Sequence, residues 1–206
     1  MITIVDYGLG NIQAFANVYK RLNIEVNVAR AANDLAGARR LILPGVGAFD
    51  HAMELLQASG MRESLDDLVL ERRVPVLGIC VGMQILARGS DEGRLAGLGW
   101  IDAHVRAFAS QPALVDYPLP HMGWNDVQPA LSEPLFAGME NDARFYFLHS
   151  YFVECAHPVE HTAARSSYGV DFSCAIRRDH IAGVQFHPEK SHHWGTNLLK
   201  NFAHNE

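Results

Sequence analysis

A cysteine held between two glycines at the end of an unbroken apolar run constrains this chain more than any other feature. Residues 74–79 are continuously apolar, and the sequence then reads Gly78-Ile79-Cys80-Val81-Gly82 before a helix-like pattern continues through Met83, Ile85 and Leu86. A short apolar run bounded by turn residues predicts a strand buried on both faces, as in a parallel sheet. Strand, Gly-x-Cys-x-Gly and helix in succession form the cysteine version of a nucleophile elbow. The tight turn lifts the thiol at the carboxyl end of the sheet, and the glycines leave room where a β-carbon would collide. The start of the following helix favours a thiolate, and the Val81 N–H is placed to face a developing oxyanion. A lone cysteine is more often a buried structural thiol. Cys155 and Cys174, in strand-like runs without flanking glycines, are read that way.

The sequence around the elbow alternates strands and helices. Residues 2–7, 24–28 and 41–43 are strand candidates. Ile12, Phe15, Ala16 and Tyr19, and then Phe49, Ala52, Met53 and Leu56, recur at helical spacing, with Asn11 as an N-cap before the first group. This predicts an α/β fold built on an open, mixed, mainly parallel sheet flanked by helices. From Trp100 onward, strand-like runs at 100–108, 144–152, 174–178 and 181–186 follow one another without comparable helices. They predict appended antiparallel strands, closed by a helix over 194–203, with Pro and Gly punctuating 111–138.

With 206 residues, 49% of them hydrophobic, the chain is expected to form a single domain over 1–206. A formal net charge of −6 gives no basic face for nucleic acid, which is excluded as the main partner. No apolar run reaches the ~18 residues of a membrane span, and the N-terminus lacks a basic n-region, so no signal peptide is expected. Three scattered cysteines without a CxxC pair fit a cytoplasmic chain with reduced thiols and no zinc site.

A cysteine nucleophile needs a base, and the base needs an orienting partner. Among 11 histidines, His187 stands apart in Val184-Gln185-Phe186-His187-Pro188-Glu189, at the end of an apolar run with a carboxylate two positions on. Pro188 fixes the backbone between them, so Glu189 is able to curl back onto the imidazole and set its tautomer. Cys80, His187 and Glu189 make a triad by role. In Leu43-Pro44-Gly45-Val46-Gly47, two glycines leave the Val46 peptide free to offer a second oxyanion N–H. Gly8-Leu9-Gly10 fails as a dinucleotide fingerprint because position 13 is Gln. His187, His192 and His193 lack a further ligand at zinc spacing, so neither metal nor cofactor is expected. Glu92, Arg94 and the glycines of 89–99 read as a surface loop.

The elbow and the segment Phe186-His187-Pro188-Glu189 resemble the class I, triad-type glutamine amidotransferases, with a flavodoxin-like sheet. Within that family, Pro44-Gly45-Val46-Gly47, Pro120-His121-Met122-Gly123-Trp124-Asn125 and the continuation Lys190-Ser191 resemble the glutaminase subunits that feed ammonia to a cyclase in histidine biosynthesis. The resemblance covers essentially the whole chain. It implies Cys80 as nucleophile, His187 as base and acid, and Glu189 as orienter. Gly45, Val46, Gly47, Val81, Gln84, Ser150 and Tyr151 would bind L-glutamine or form the oxyanion hole. Trp124, Asn125, Tyr146 and Lys190 would face the partner, a (β/α)8 cyclase subunit, in a heterodimer. His192-His193 departs from the family pattern. Other readings are a glutaminase for the folate, tryptophan or pyridoxal pathways, opposed by 44–47 and 121–125, and an inactive scaffold, opposed by the intact triad.

Overall fold

The computed structural model describes residues 1–114 and 117–204; residues 115–116 of the punctuated 111–138 stretch lie outside that description. Strand β1 (Ile2–Val5), buried throughout, is followed by α1 (Ile12–Arg21), whose Asn11 side chain accepts the Ala14 N–H at 3.2 Å as an N-cap. After β2 (Val26–Ala29) and β3 (Leu41–Gly45) comes α2 (Phe49–Ala58), which buries Phe49, Ala52, Met53 and Leu56 as the spacing requires. The short α3 (Arg62–Asp66) precedes β4 (Val76–Cys80) and a single-turn α4 (Val81–Gln84). Strands β2, β1, β3 and β4 lie side by side and parallel.

The second half adds β5 (Ala103–Ala107), β6 (His121–Asp126), β7 (Gln128–Pro129), β8 (Arg144–His149), β9 (Tyr151–Cys155), α5 (Pro158–His161), β10 (Thr162–Tyr168), β11 (Val170–Arg178), β12 (Ile181–Val184) and α6 (His192–His204). The chain returns to the parallel half through β12, which pairs with β4 so that Gly183 faces Gly78 and Val184 faces Ile79. Beyond it, β11, β10 and β7 continue the sheet antiparallel, with β9 and β5 branching from β11. This is the expected open sheet with appended antiparallel strands. The carboxyl ends of β3, β4 and β12 now sit together, the edge where open α/β sheets place their ligands.

Two features differ from the sequence reading. The run 144–152 is not one strand. It breaks at Ser150 into β8, which pairs with β6 in a separate two-stranded sheet, and β9, which belongs to the main sheet. Apolarity on both sides of Ser150 hides the switch, because each strand has a buried face of its own. Strands β6, β7 and β10 have no counterpart among the expected strands: β6 and β7 lie in the stretch read as punctuated by Pro and Gly, and the small and polar residues of β10 carry no apolar alternation, its place being set by pairing with β11.

Candidate active site

The elbow forms as the glycines demand. Cys80 adopts φ 56°, a left-handed backbone for a non-glycine residue, which costs about 1–3 kcal/mol and persists only where its surroundings enforce it. They do so by close contact. A β-carbon on Gly82 would lie 1.8 Å from the Leu43 carbonyl oxygen, and one on Gly78 would lie 2.5 Å from the Gly82 oxygen. The turn is therefore folded onto itself and onto β3.

The loop after β3 is less symmetric than its two glycines suggest. Gly45 is buried in register with Cys80, and a β-carbon there would sit 2.5 Å from the Gly82 nitrogen. It is a packing glycine, not a hinge. Gly47, at φ 96° with open space around its α-carbon, is the permissive position, and Val46 between them is 42% exposed.

On the other side, His187 follows β12 and is buried, with its Nδ1 2.9 Å from Glu189 Oε1. The carboxylate accepts there, so Nδ1 carries the hydrogen and Nε2 is left for the thiol. Burial works against a charged imidazole, yet hydrogen bonding and charge from Cys80 and Glu189 outweigh it and lift the His187 pKa to about 9. The triad turn is tied to β8 by Ser191, whose hydroxyl donates to the His187 carbonyl at 2.7 Å and accepts the Tyr146 N–H at 2.9 Å; the His187 N–H donates to the Tyr146 carbonyl. The remaining cysteines are buried, and desolvation pushes Cys155 up to about 11 and Cys174 higher still. Neither suits a nucleophile.

A cavity of about 270 Å³, small for a ligand site, opens over the thiol. Val46, Gly47, Cys80, Val81, Gln84, Ser150, Tyr151, His187 and Lys190 of the expected residues line it. Gly45 and Glu189 stand behind that wall. Trp124 and Tyr146 pair across β6 and β8. Trp124, 41% exposed, shares an outer face with Met122 and Leu148, and the Lys190 ammonium lies 5.7 Å above the Tyr146 ring. Asn125, one residue on, falls on the opposite side of the strand. Its amide donates to the Ser167 carbonyl and lies 3.2 Å from His121 Nε2.

Four residues of the site had no role in it assigned from the sequence. Glu92, read as part of a surface loop, lines the cavity and accepts the Phe49 N–H at 2.8 Å, capping α2 from 43 residues away. Asp50 in turn accepts the N–H groups of Arg94 and Leu95, pinning the loop down. His149 lines the cavity and His121 backs it. His149 Nδ1 faces the Tyr151 carbonyl at 2.7 Å, so that nitrogen donates, and its Nε2 accepts from His121 Nδ1 at 2.9 Å. Desolvation holds both rings neutral, with pKa values lowered to about 3 for His149 and about 4 for His121. Gln185 is the fourth; it is wholly buried beside the sulfur. Chemically, the arrangement offers an activated thiol, an oriented base and a small polar pocket, which suits acyl transfer from a small amide.

A family model described as "Glutamine amidotransferase class-I" matches residues 3–205. Imidazole glycerol phosphate synthase subunit HisH of Bdellovibrio bacteriovorus is 63% identical over 98% of this chain and 99% of its own length. The HisH subunit of Leptospira borgpetersenii is 47% identical with the same coverage. Among solved structures, a glutamine amidotransferase superposes with TM-score 0.76 at 20% identity, covering 98% of this chain and 96% of its own. The glutaminase domain of a Trypanosoma brucei CTPS with bound acivicin superposes at 0.65 and 16% identity, covering 98% and 92%. The chain belongs to the class-I glutamine amidotransferases and, within them, to the imidazole glycerol phosphate synthase subunits HisH.

Proposed function

We propose that this chain is the glutaminase subunit of an imidazole glycerol phosphate synthase, releasing ammonia from L-glutamine through Cys80, His187 and Glu189. The observation that carries the reading is the strained Cys80 elbow facing a buried imidazole whose far nitrogen is held by Glu189 at 2.9 Å. The Cys80 thiolate attacks the side-chain amide carbon, and the Val81 and Val46 N–H groups receive the oxyanion. His187 gives its proton to the departing ammonia, leaving a thioester. Water, deprotonated by His187, then attacks the thioester, glutamate leaves, and the sulfur departs as thiolate. Ser150 and Tyr151 hold the amino-acid end of the substrate, and Gln84 lies along its side chain.

The ammonia passes to a (β/α)8 cyclase partner in a cytoplasmic heterodimer. There N'-phosphoribulosyl-formimino-AICAR-phosphate becomes imidazole glycerol phosphate and AICAR. The outer face of Met122, Trp124, Tyr146, Leu148 and Lys190 beside the cavity supports a docking surface there, and Gly47 supports a loop that docking biases toward the competent form.

The test is glutamate release by the chain alone, with the cyclase, and with the cyclase plus its nucleotide substrate. The rate should rise through that series, and Cys80→Ser should abolish it while synthesis from added ammonia survives. A Ser variant that keeps glutamine-dependent activity overturns the assignment of the nucleophile. Equal rates in all three conditions overturn the switch.

A further inference from the structure

Gln185 is a polar residue where the pattern calls for an apolar one. It follows β12 between Val184 and Phe186, and all three are 0% exposed. A buried amide is costly unless both of its ends are satisfied. Here Oε1 accepts the Gln84 Nε2 at 3.0 Å, and Nε2 lies 3.8 Å from Cys80 Sγ.

The orientation of that amide follows from its neighbours. Two facing glutamines hydrogen-bond equally well if both amides are reversed, so the pair alone does not choose. The sulfur does. A thiolate accepts hydrogen bonds and repels a carbonyl oxygen, so it selects the arrangement with the Gln185 NH₂ toward it. We propose that Gln185 is a hydrogen-bond donor to the Cys80 thiolate, and that Gln84 is the positioning residue that keeps this donor turned toward the sulfur. The proposal rests on Cys80 being the nucleophile.

The arrangement acts twice in the reaction. Before attack, the N–H favours the charged sulfur. Nucleophilicity falls by only about 0.4–0.5 of any drop in thiol pKa, so the gain in thiolate fraction outweighs the loss when the pH lies below that pKa. During breakdown of the thioester, charge returns to sulfur, and the same N–H is in place to receive it. A sulfur with a lower pKa leaves faster.

The experiment is the pH dependence of Cys80 alkylation by iodoacetamide on the full chain, resolved by mass spectrometry from Cys155 and Cys174. In Gln185→Leu the acid limb should move up by about one pH unit, making alkylation about tenfold slower on that limb. Gln185→Met keeps the length, removes the donor, and should move the limb the same way. Gln84→Leu should move it the same way by less. Leucine at 185 also makes the sulfur's surroundings drier, which raises the limb too, whereas Gln84→Leu leaves Gln185 against the sulfur, so its shift reads the donor's orientation. A limb at its wild-type position in Gln84→Leu, or in a Gln185→Met or Gln185→Leu chain with the wild-type circular dichroism spectrum, overturns the proposal. Failure of the underlying reading shows separately, as glutamate release that survives Cys80→Ala.

Discussion

The neutral pair His121–His149 makes stability depend on pH in a way that can be worked out in advance. An imidazole in an unfolded chain titrates near 6.5, whereas burial lowers His121 to about 4 in the fold. Above about pH 6.5 neither state binds the proton, and the fold bears no penalty. As the pH falls toward 4, the unfolded chain takes up a proton that the fold refuses, and stability is lost. At about pH 5 the gap is roughly 1.5 units, or about 2 kcal/mol for His121. His121→Phe isolates this contribution, because a phenyl ring fills the slot between Phe147 and Tyr168, where the imidazole stacks with centroids 4.8 and 4.1 Å away. The assay is urea unfolding of both proteins at about pH 7.5 and about pH 5. The wild type should lose about 2 kcal/mol more than the variant between the two. The variant's own stability at the higher pH reads the lost hydrogen bond to His149, so only the pH differences are compared. Equal losses would show that His121 is protonated in the folded chain and would refute the directional relay through His149 to Tyr151.

Glu189→Gln should lower kcat with little change in KM, by up to ~10⁴ if the carboxylate matters as it does in serine proteases. The alkaline limb of activity, set by His187 losing its proton near 9, should move down with it; an unchanged kcat and limb would demote Glu189. Gly82→Ala should cost about 1–3 kcal/mol or more, because the new methyl meets the Leu43 carbonyl at 1.8 Å, and thermal unfolding of the variant checks it.

The parallel half was legible because its signals are local. Four apolar positions at helical spacing predicted the buried face of α2, and Gly-x-Cys-x-Gly predicted a turn that only glycines allow. His187 and Glu189 were legible because two positions and a proline separate them. Glu92, His149 and Gln185 were not. Each is a polar residue whose partner lies far along the chain, 43 residues for Glu92 with Phe49 and 105 for Gln185 with Cys80. Nothing in composition or period encodes such a meeting. Gly45 shows the opposite error: the sequence offered it as a hinge, and only the approach of Gly82 reveals it as a spacer.

The break at Ser150 divides the protein's inheritance as well as its sheet. The nucleophile, base and oxyanion groups are written in 43–47, 76–84 and 184–189, on the main sheet, while most of the outer face is written in 121–126 and 144–149, on a separate two-stranded ribbon. The two are joined mostly through backbone and inward-facing groups: the run from β6 into β7, the Ser150 crossover into β9, the Tyr146 peptide with Ser191 and His187, the Asn125 amide with the Ser167 carbonyl, and the Ser166 hydroxyl with the Asp126 carbonyl. Substitutions on the ribbon's outer surface can therefore accumulate without disturbing the elbow. Exchanging only the outward side chains of the ribbon between relatives, at Met122, Trp124 and Tyr146, should carry recognition with them and leave the cavity of the host intact.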